Sequence, residues 1–170
     1  LGAVGSALGL AVMMNKLSLI EDIINITSRS SLNNFAQALC IVAMFGRTEI
    51  FKAFLEAGVP VNETCNKMAP IHIAVINRHK DIVKMLVEHD KTDLSVSLEH
   101  DGYESNLSAL LLAYSRDDDE MCKLLLSGKL DFYAEIHHAI LGKVYELAVK
   151  LLVDYFKDDI NMDGDYGTFL

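Results

Sequence analysis

A pattern of paired short helices recurs along the 170-residue chain and constrains its fold more than any other feature. In each copy a small or polar residue leads a short apolar helix, about four residues follow, and a second apolar helix ends in paired aliphatic side chains. The copies begin near residues 6, 37, 69, 108, 134 and 168, at intervals of 31, 32, 39, 26 and 34 residues. One such helix pair cannot bury its apolar face alone, so the periodicity predicts neighbouring pairs stacked around one elongated core.

The clearest copy begins Ala69-Pro70-Ile71-His72, continues with Arg78-His79-Lys80-Asp81-Ile82-Val83 and ends its second helix at Leu86-Val87. It resembles the ankyrin repeat, whose signature is T-P-L-H, then alanines, then a helix of the type G-H-x-x-I-V-x-x-L-L. The resemblance implies an all-α ankyrin-repeat solenoid of stacked helix pairs with short hairpin-like fingers. It also implies that His72, and His137 by register, form a structural hydrogen bond to the finger backbone.

The array is expected to occupy the whole chain as a single domain. Its approximate repeats are 1–33, 34–65, 66–104, 105–130 and 131–164, with the start of a sixth at 165–170. The 39-residue interval predicts an insertion near Lys91–Glu104, and the 26-residue interval predicts a shortened finger after Ser127-Gly128.

The net charge of the chain limits the class of partner that it is expected to bind. The net charge is −9, which argues against direct binding of nucleic acid. Residues 1–85 carry a net charge of +2, whereas residues 86–170 carry −11. This asymmetry predicts either a surface that prefers a basic protein partner or acidic helix faces that are merely solvated.

Cysteine usage and hydropathy predict the compartment. Cys40, Cys65 and Cys122 form no CxxC pair, which is typical of a reduced protein in the cytoplasm, with the nucleus as an alternative. The apolar stretch from Leu1 to Met14 is too short to span a bilayer, so no membrane partner is expected. The chain starts at Leu1 rather than Met, which favours a fragment of a longer protein.

No motif predicts catalysis or a cofactor, so the chain is expected not to be an enzyme. The acidic run Asp117–Glu120 is interpreted as a helix N-terminus, with a metal site as the alternative. Asp159–Gly164 matches the first half of an EF-hand calcium loop, but Leu170 stands where a bidentate Glu is required. The alternative interpretation of that segment is a finger between repeats, and no metal is expected.

In the family that this chain resembles, a protein partner binds the concave face formed by inner helices and fingers. By register, the inner-helix positions on that face are Met13, Met14, Met44, Phe45, Ile76, Asn77, Ser115, Arg116, Leu141 and Gly142. The finger candidates are Asn33, Asn34, Phe35, Asn66, Lys67, Met68, Tyr103, Glu104, Phe132, Tyr133 and Tyr166. Two alternatives remain open: the inner-helix residues belong to the core, or the finger aromatics pack against neighbouring fingers.

The function predicted from these features is a non-catalytic protein–protein interaction module that binds its partner on the concave face. One alternative is an IκB-like inhibitor that masks a basic DNA-binding transcription factor. The other is the ankyrin part of a larger effector, channel or enzyme. The sequence does not specify an oligomeric state.

Overall fold

A computed structural model describes residues 3–27, 35–100 and 103–155. These residues form ten α-helices and one two-stranded antiparallel hairpin. In chain order the elements are α1 Ala3–Met13, α2 Leu17–Ile26, α3 Ala36–Phe45, α4 Thr48–Ala57, α5 Pro70–Ile76, α6 Lys80–Glu88, β1 Ser97–His100, β2 Tyr103–Ser108, α7 Ala109–Tyr114, α8 Asp119–Leu126, α9 Phe132–Leu141 and α10 Tyr145–Tyr155. None of these helices is long and apolar enough to cross a membrane.

The helices form five pairs in two layers. Each odd-numbered helix packs on the even-numbered helix that follows it. The inner helices α1, α3, α5, α7 and α9 contact one another in that order, and the outer helices α2, α4, α6 and α8 do the same. The prediction of an all-α solenoid of stacked helix pairs is therefore confirmed.

Every pair is joined by the same turn. One residue in each turn has a positive φ, and these residues are Asn15, Gly46, Arg78, Asp117 and Lys143. They are separated by 31, 32, 39 and 26 residues, the same intervals as the sequence pattern. The next residue in each turn donates its N–H to the carbonyl five residues earlier, as in Lys16 to Ala11 at 2.9 Å and His79 to Ala74 at 2.9 Å.

The core runs along the stack between the two layers. Small residues such as Ala74 and Ala113 are fully buried where an inner helix meets its outer helix, and they allow a close approach of the two backbones. Large residues fill the remaining space, with Phe54 of α4 packed edge-to-face against Phe35 at 5.9 Å between ring centroids. The first residue of the aliphatic doublets also lies in this core, as at Leu86, Leu125 and Leu151.

The predicted insertion near Lys91–Glu104 overlaps the hairpin of β1 and β2, which pair with Ser97 opposite Ser108 and His100 opposite Tyr103 and continue to Ser108. Strand β2 contacts both α7 and α9, so the insertion packs against the stack. It ends directly at α7, where the hydroxyl of Ser108 accepts a hydrogen bond from the Leu111 N–H at 3.3 Å.

The acidic run Asp117–Glu120 begins a helix, as the sequence predicted. The carboxylate of Asp118 accepts the Met121 N–H at 3.2 Å and caps α8. Replacing Asp118 by alanine leaves that N–H without its partner, so the free energy of unfolding in a urea titration should fall by about 1 kcal/mol. Asp119→Ala is the matched control, because Asp119 lies in the first turn and leaves the Asp118 cap intact. Equal losses in the two variants would contradict a capping role.

Candidate protein-binding surface

The two residues directly before the positive-φ position of each turn lie at the end of an inner helix. At α3 these residues are Met44 and Phe45, which are 45% and 49% exposed. At α1 they are Met13 and Met14, each 63% exposed. The alternative that these four side chains belong to the core is therefore wrong.

We call Met13, Met14, Met44 and Phe45 the apolar groove. Helices α1 and α3 contact each other, so their ends lie side by side on one surface. Exposed large apolar side chains are common singly, but a contiguous group at equivalent positions is typical of a contact surface. Three of the four are methionines, whose flexible thioether chains adapt to differently shaped partners.

Gly46 and His79 fix the turn that presents Met44 and Phe45. Gly46 has φ +63°, and a Cβ there would lie 2.6 Å from the His79 ring, so only glycine fits without displacing the ring. That ring faces the Met44 carbonyl with Nε2 at 3.0 Å, and a nitrogen facing a carbonyl must donate its proton. The third repeat thus supports the end of α3.

Beyond the second repeat, the equivalent positions at the ends of the inner helices become polar. Ile76 is half-buried against the core, and the Asn77 side chain donates to the Ile73 carbonyl at 2.8 Å. Arg116 is exposed, and its side chain donates a hydrogen bond to the Ile76 carbonyl at 2.7 Å. This hydrogen bond links the third and fourth repeats. Leu141, 46% exposed, lies at the last inner helix beside the exposed Gly142. The row is therefore apolar at repeats one and two, polar in the middle and apolar again at Leu141.

The finger between the second and third repeats is a short hairpin. Cys65 and Met68 form an antiparallel bridge, with backbone N–H to carbonyl distances of 2.9 and 3.2 Å. Asn66 and Lys67 between them have φ values of 51° and 66°, the pattern of a two-residue type I′ hairpin. Lys67 is exposed at the tip, whereas Met68 is half-buried against the core.

Three finger candidates were placed incorrectly by the sequence, namely Phe35, Phe132 and Tyr133. Phe35 is only 2% exposed, because it stands directly before α3 and its ring packs on Phe54. Tyr133 is 66% exposed but lies in the first turn of α9, since that helix begins at Phe132 rather than at the predicted Ala134. Tyr103 lies in β2, and its side chain, like Asn33, Asn34 and Tyr166, is outside the described residues.

The predicted structural role of His72 is confirmed. The side chain is fully buried, its Nδ1 accepts the Ala69 N–H at 3.2 Å, and its Nε2 donates to the Val96 carbonyl at 2.9 Å. Burial lowers the pKa of His72 to about 4, so the ring is neutral at physiological pH. The parallel expectation for His137 is wrong: His137 stands six residues before the positive-φ residue of its turn, as His72 does, but its ring is exposed.

Sequence reasoning missed Glu135, a fully buried carboxyl group on α9. The Ser108 hydroxyl donates to its Oε2 at 2.6 Å, while Oε1 has no hydrogen-bond partner among the described residues. Burial raises the pKa of Glu135 to about 7, and the nearby carboxylates of Asp131 and Asp93 act in the same direction. No motif marks this residue, and its hydrogen bond with Ser108 of the preceding repeat could not be read from the sequence.

Ion pairs on the acidic half link consecutive repeats. Lys80 pairs with Glu120, and Arg78 Nε lies 3.8 Å from Asp118. Lys129 Nζ lies 2.9 Å from Asp90. Since at least one partner of each pair is exposed, each pair contributes little to stability. Within residues 3–27, 35–100 and 103–155, no three His, Cys, Asp or Glu side chains are placed to hold a metal ion, and the Asp159–Gly164 segment lies outside these ranges.

Cys40 and Cys122 are packing residues rather than activated nucleophiles. All three cysteines are free. Burial raises the pKa of Cys40 to about 12, and it also raises the pKa of Cys122, where the neighbouring Asp119 and Asp118 carboxylates add to the effect. A thiol that stays protonated is a packing residue rather than a nucleophile.

Comparison with known proteins identifies the class. A family model for ankyrin repeats matches residues 8–97 in three copies, which is more than half of the chain. The chain belongs to the ankyrin-repeat family. In the structure, the same turn and helix pairing recur twice more beyond the matched segment, in α7–α8 and α9–α10.

A curated relative adds a partial similarity. The chain is 34% identical over 88 residues to an L-asparaginase from Dirofilaria immitis. The match covers 50% of this chain but only 15% of that relative.

Proposed function

We propose that this chain is a non-catalytic protein–protein interaction module that binds its partner on the concave face. Ankyrin repeats generally mediate protein–protein interactions. The observation that carries the proposal is the apolar groove, whose four side chains are each 45% or more exposed at equivalent positions of two neighbouring repeats.

The groove favours a partner with a particular chemistry. Its four side chains offer apolar contact without hydrogen-bonding groups, which suits a partner segment that inserts aliphatic or aromatic anchors. Lys67 stands at the tip of the finger that follows the second repeat, and the acidic Asp117–Glu120 run lies two repeats further along the stack. A partner segment with apolar anchors for the apolar groove, followed by basic residues that reach the acidic half, fits this arrangement.

The double variant Met44→Asp/Phe45→Asp tests the groove. Wild-type chain and variant are used as baits in a cytosolic lysate, and the captured proteins are identified by mass spectrometry. We expect the variant to lose the partner that the wild type retains, because two charges in the groove would have to be desolvated on binding. Val149→Asp/Val153→Asp is the matched control, since it replaces apolar residues of 58% and 54% exposure on the outer helix α10.

The control defines what would overturn the proposal. Circular dichroism should show the same helix content for all three baits, because the substituted side chains are exposed. If the groove variant and the wild type recover the same proteins, the groove is not the binding surface. Loss in the α10 variant alone would place the partner on the outer helices.

A second candidate function is supported by the charge of residues 86–170, which is −11. This is an IκB-like role, in which the acidic half masks a basic DNA-binding protein in the cytoplasm or the nucleus. Salt separates the two functions: affinity for a masked basic partner should fall steeply between low and high ionic strength, whereas binding in the apolar groove should change little.

The similarity to part of an L-asparaginase supports a third candidate, in which this array is the ankyrin part of a larger enzyme. Under that function the activity of the relative resides outside the 15% of its length that matches here. The array would then supply binding alone, through the same groove.

A further inference from the structure

The exposed methionines of the described chain lie together in the apolar groove. Of the seven methionines, all but Met162 lie among the described residues. Three of these are exposed, and they are Met13, Met14 and Met44 of the groove. The others are buried or half-buried against the core, and they are Met68, Met85 and Met121. A reagent in solution that reacts with thioether sulfur therefore meets the groove first.

The exposure of these methionines follows from the repeated turn. Met44 is 45% exposed although its helix α3 contacts both α1 and α5, so it has a repeat on either side. Ser115 occupies the same position in the fourth repeat and is also exposed, although α7 contacts both α5 and α9. Met13 occupies this position in α1. The stacking of neighbouring repeats therefore leaves the position open to solvent.

Peroxides oxidise an accessible thioether to a sulfoxide in a two-electron step. The lone pair of the sulfur attacks one oxygen of hydrogen peroxide, the O–O bond breaks, and that oxygen stays on the sulfur. The hydroxide that leaves takes the proton of the transferred oxygen and departs as water. Two thiols of a reductant reverse the change in an enzyme-catalysed reaction, in which the oxygen leaves as water and the thiols form a disulfide.

A sulfoxide changes what the groove offers to a partner. The thioether is apolar, whereas the sulfoxide carries a strong hydrogen-bond acceptor. A partner that inserts apolar anchors would remove water from each sulfoxide without supplying a hydrogen bond, so binding would be weakened. The fold itself would be spared, because the oxidised side chains are exposed and Met121 in the core is shielded.

We propose that Met13, Met14 and Met44 are a redox-sensitive modification site that controls binding in the apolar groove. Oxidation of their sulfurs by a peroxide releases the partner, and thiol-dependent reduction restores binding. This inference rests on the proposed function, because it concerns regulation of the same surface. Phe45 has no sulfur, so three of the four groove side chains respond to the oxidant.

Peptide mass spectrometry tests where oxidation occurs. The chain is treated with hydrogen peroxide, samples are taken over time, and the sulfoxide fraction of each methionine is measured. Met13, Met14 and Met44 should be converted faster than the fully buried Met121 by about tenfold or more. Circular dichroism should show unchanged helix content when the three groove methionines are fully oxidised. Equal rates at Met44 and Met121 would overturn the proposal.

Two matched triple variants test the consequence for binding. Met13→Leu/Met14→Leu/Met44→Leu keeps the groove apolar without an oxidisable sulfur, and Met13→Gln/Met14→Gln/Met44→Gln places a polar amide at each position. Both variants retain the three cysteines, so oxidation of thiols affects them as it affects the wild type. Each bait is used before and after peroxide treatment, with the peroxide removed, in a cytosolic lysate from which small thiols have been removed.

The proteins that are counted are those that the untreated wild type retains and Met44→Asp/Phe45→Asp loses. Peroxide should reduce their capture by the wild type by about tenfold or more, because the sulfoxides must be desolvated on binding. It should leave capture by the leucine variant unchanged, and the glutamine variant should fail to capture them without peroxide. Methionine sulfoxide reductases with a dithiol should restore capture by the oxidised wild type.

Three outcomes in the capture experiment would overturn the inference. If the oxidised and untreated wild type capture these proteins equally, the inference is wrong while the proposed function stands. If peroxide abolishes capture by the leucine variant as well, the effect arises from other side chains. If the untreated wild type captures nothing that Met44→Asp/Phe45→Asp loses, the proposed function fails and this inference fails with it.

Discussion

Phe54→Ala is expected to cause the largest loss of stability among single substitutions in the second repeat. Phe54 is fully buried, and its ring meets that of Phe35 edge-to-face at 5.9 Å. Removing the ring takes away its burial and the aromatic pair and leaves a cavity between α3 and α4, at a cost of about 3–5 kcal/mol. Since a domain of this kind is stable by only about 5–15 kcal/mol, the variant should be partly unfolded near physiological temperature.

Urea titration followed by circular dichroism measures this loss, and Phe45→Ala is its matched control. Phe45 lies at the end of α3 but is 49% exposed, so its truncation should change the free energy of unfolding far less. A small loss for Phe54→Ala, or equal losses for the two phenylalanines, would contradict the assignment of Phe54 to the core and of Phe45 to the surface.

The second large effect is a pH dependence that arises from Glu135. Burial raises its pKa from the ordinary 4.5 to about 7, so between these values the folded chain holds a proton that the unfolded chain has released. Stability from this group is complete below pH 4.5 and is lost as pH rises through about 7. The full loss is on the order of 3 kcal/mol.

The pH dependence of stability that His72 causes has the opposite sign, and it determines the pH range for the measurement. Its pKa is lowered from 6.5 to about 4, so the stability from its neutral ring is lost as pH falls through that range and is complete above pH 6.5. Thermal unfolding should therefore be compared between pH 6.5 and pH 8.5, where His72 no longer titrates and the last part of the Glu135 effect, about 0.8 kcal/mol, is still to be lost.

Glu135→Gln isolates the effect of the buried carboxyl group. The amide keeps an oxygen that can accept the Ser108 hydroxyl but carries no charge, so this variant should lose less stability than the wild type as pH rises. Glu146→Gln is the control, because Glu146 is exposed on α10 and should leave the pH profile unchanged. Identical pH profiles for wild type and Glu135→Gln would contradict a buried, titrating Glu135.

The repeat register could be predicted from the sequence because it depends on local chemistry. Small residues in the inner helices and aliphatic doublets in the outer helices mark the pairs, and Pro70 also marks the start of α5. The positive-φ turns lie at the predicted intervals. The same register placed Met44 and Phe45 on the surface. His72 could be assigned because a buried imidazole requires hydrogen-bond partners, and two backbone groups supply them.

Features that depend on contacts between distant residues could not be predicted in this way. Phe35 was assigned to a finger because nothing local reveals that its ring reaches Phe54 in the next helix.

Two local features were also missed. Asp131 caps α9 through the Ala134 N–H at 3.1 Å, so this helix begins before Tyr133 and includes it. The hairpin of β1 and β2 did have a local signal, since Asp101-Gly102 is a preferred hairpin dipeptide.

Hydrogen exchange of the complex tests the central claim most directly. The protein captured by the wild-type bait is purified and added to the chain, and amide exchange is compared with and without it. If the partner occupies the concave face, exchange should slow in peptides covering residues 10–16 and 41–47, at the ends of α1 and α3, and stay unchanged at 145–153 on α10. Protection confined to the outer helices, with none at the ends of α1 and α3, would contradict the account.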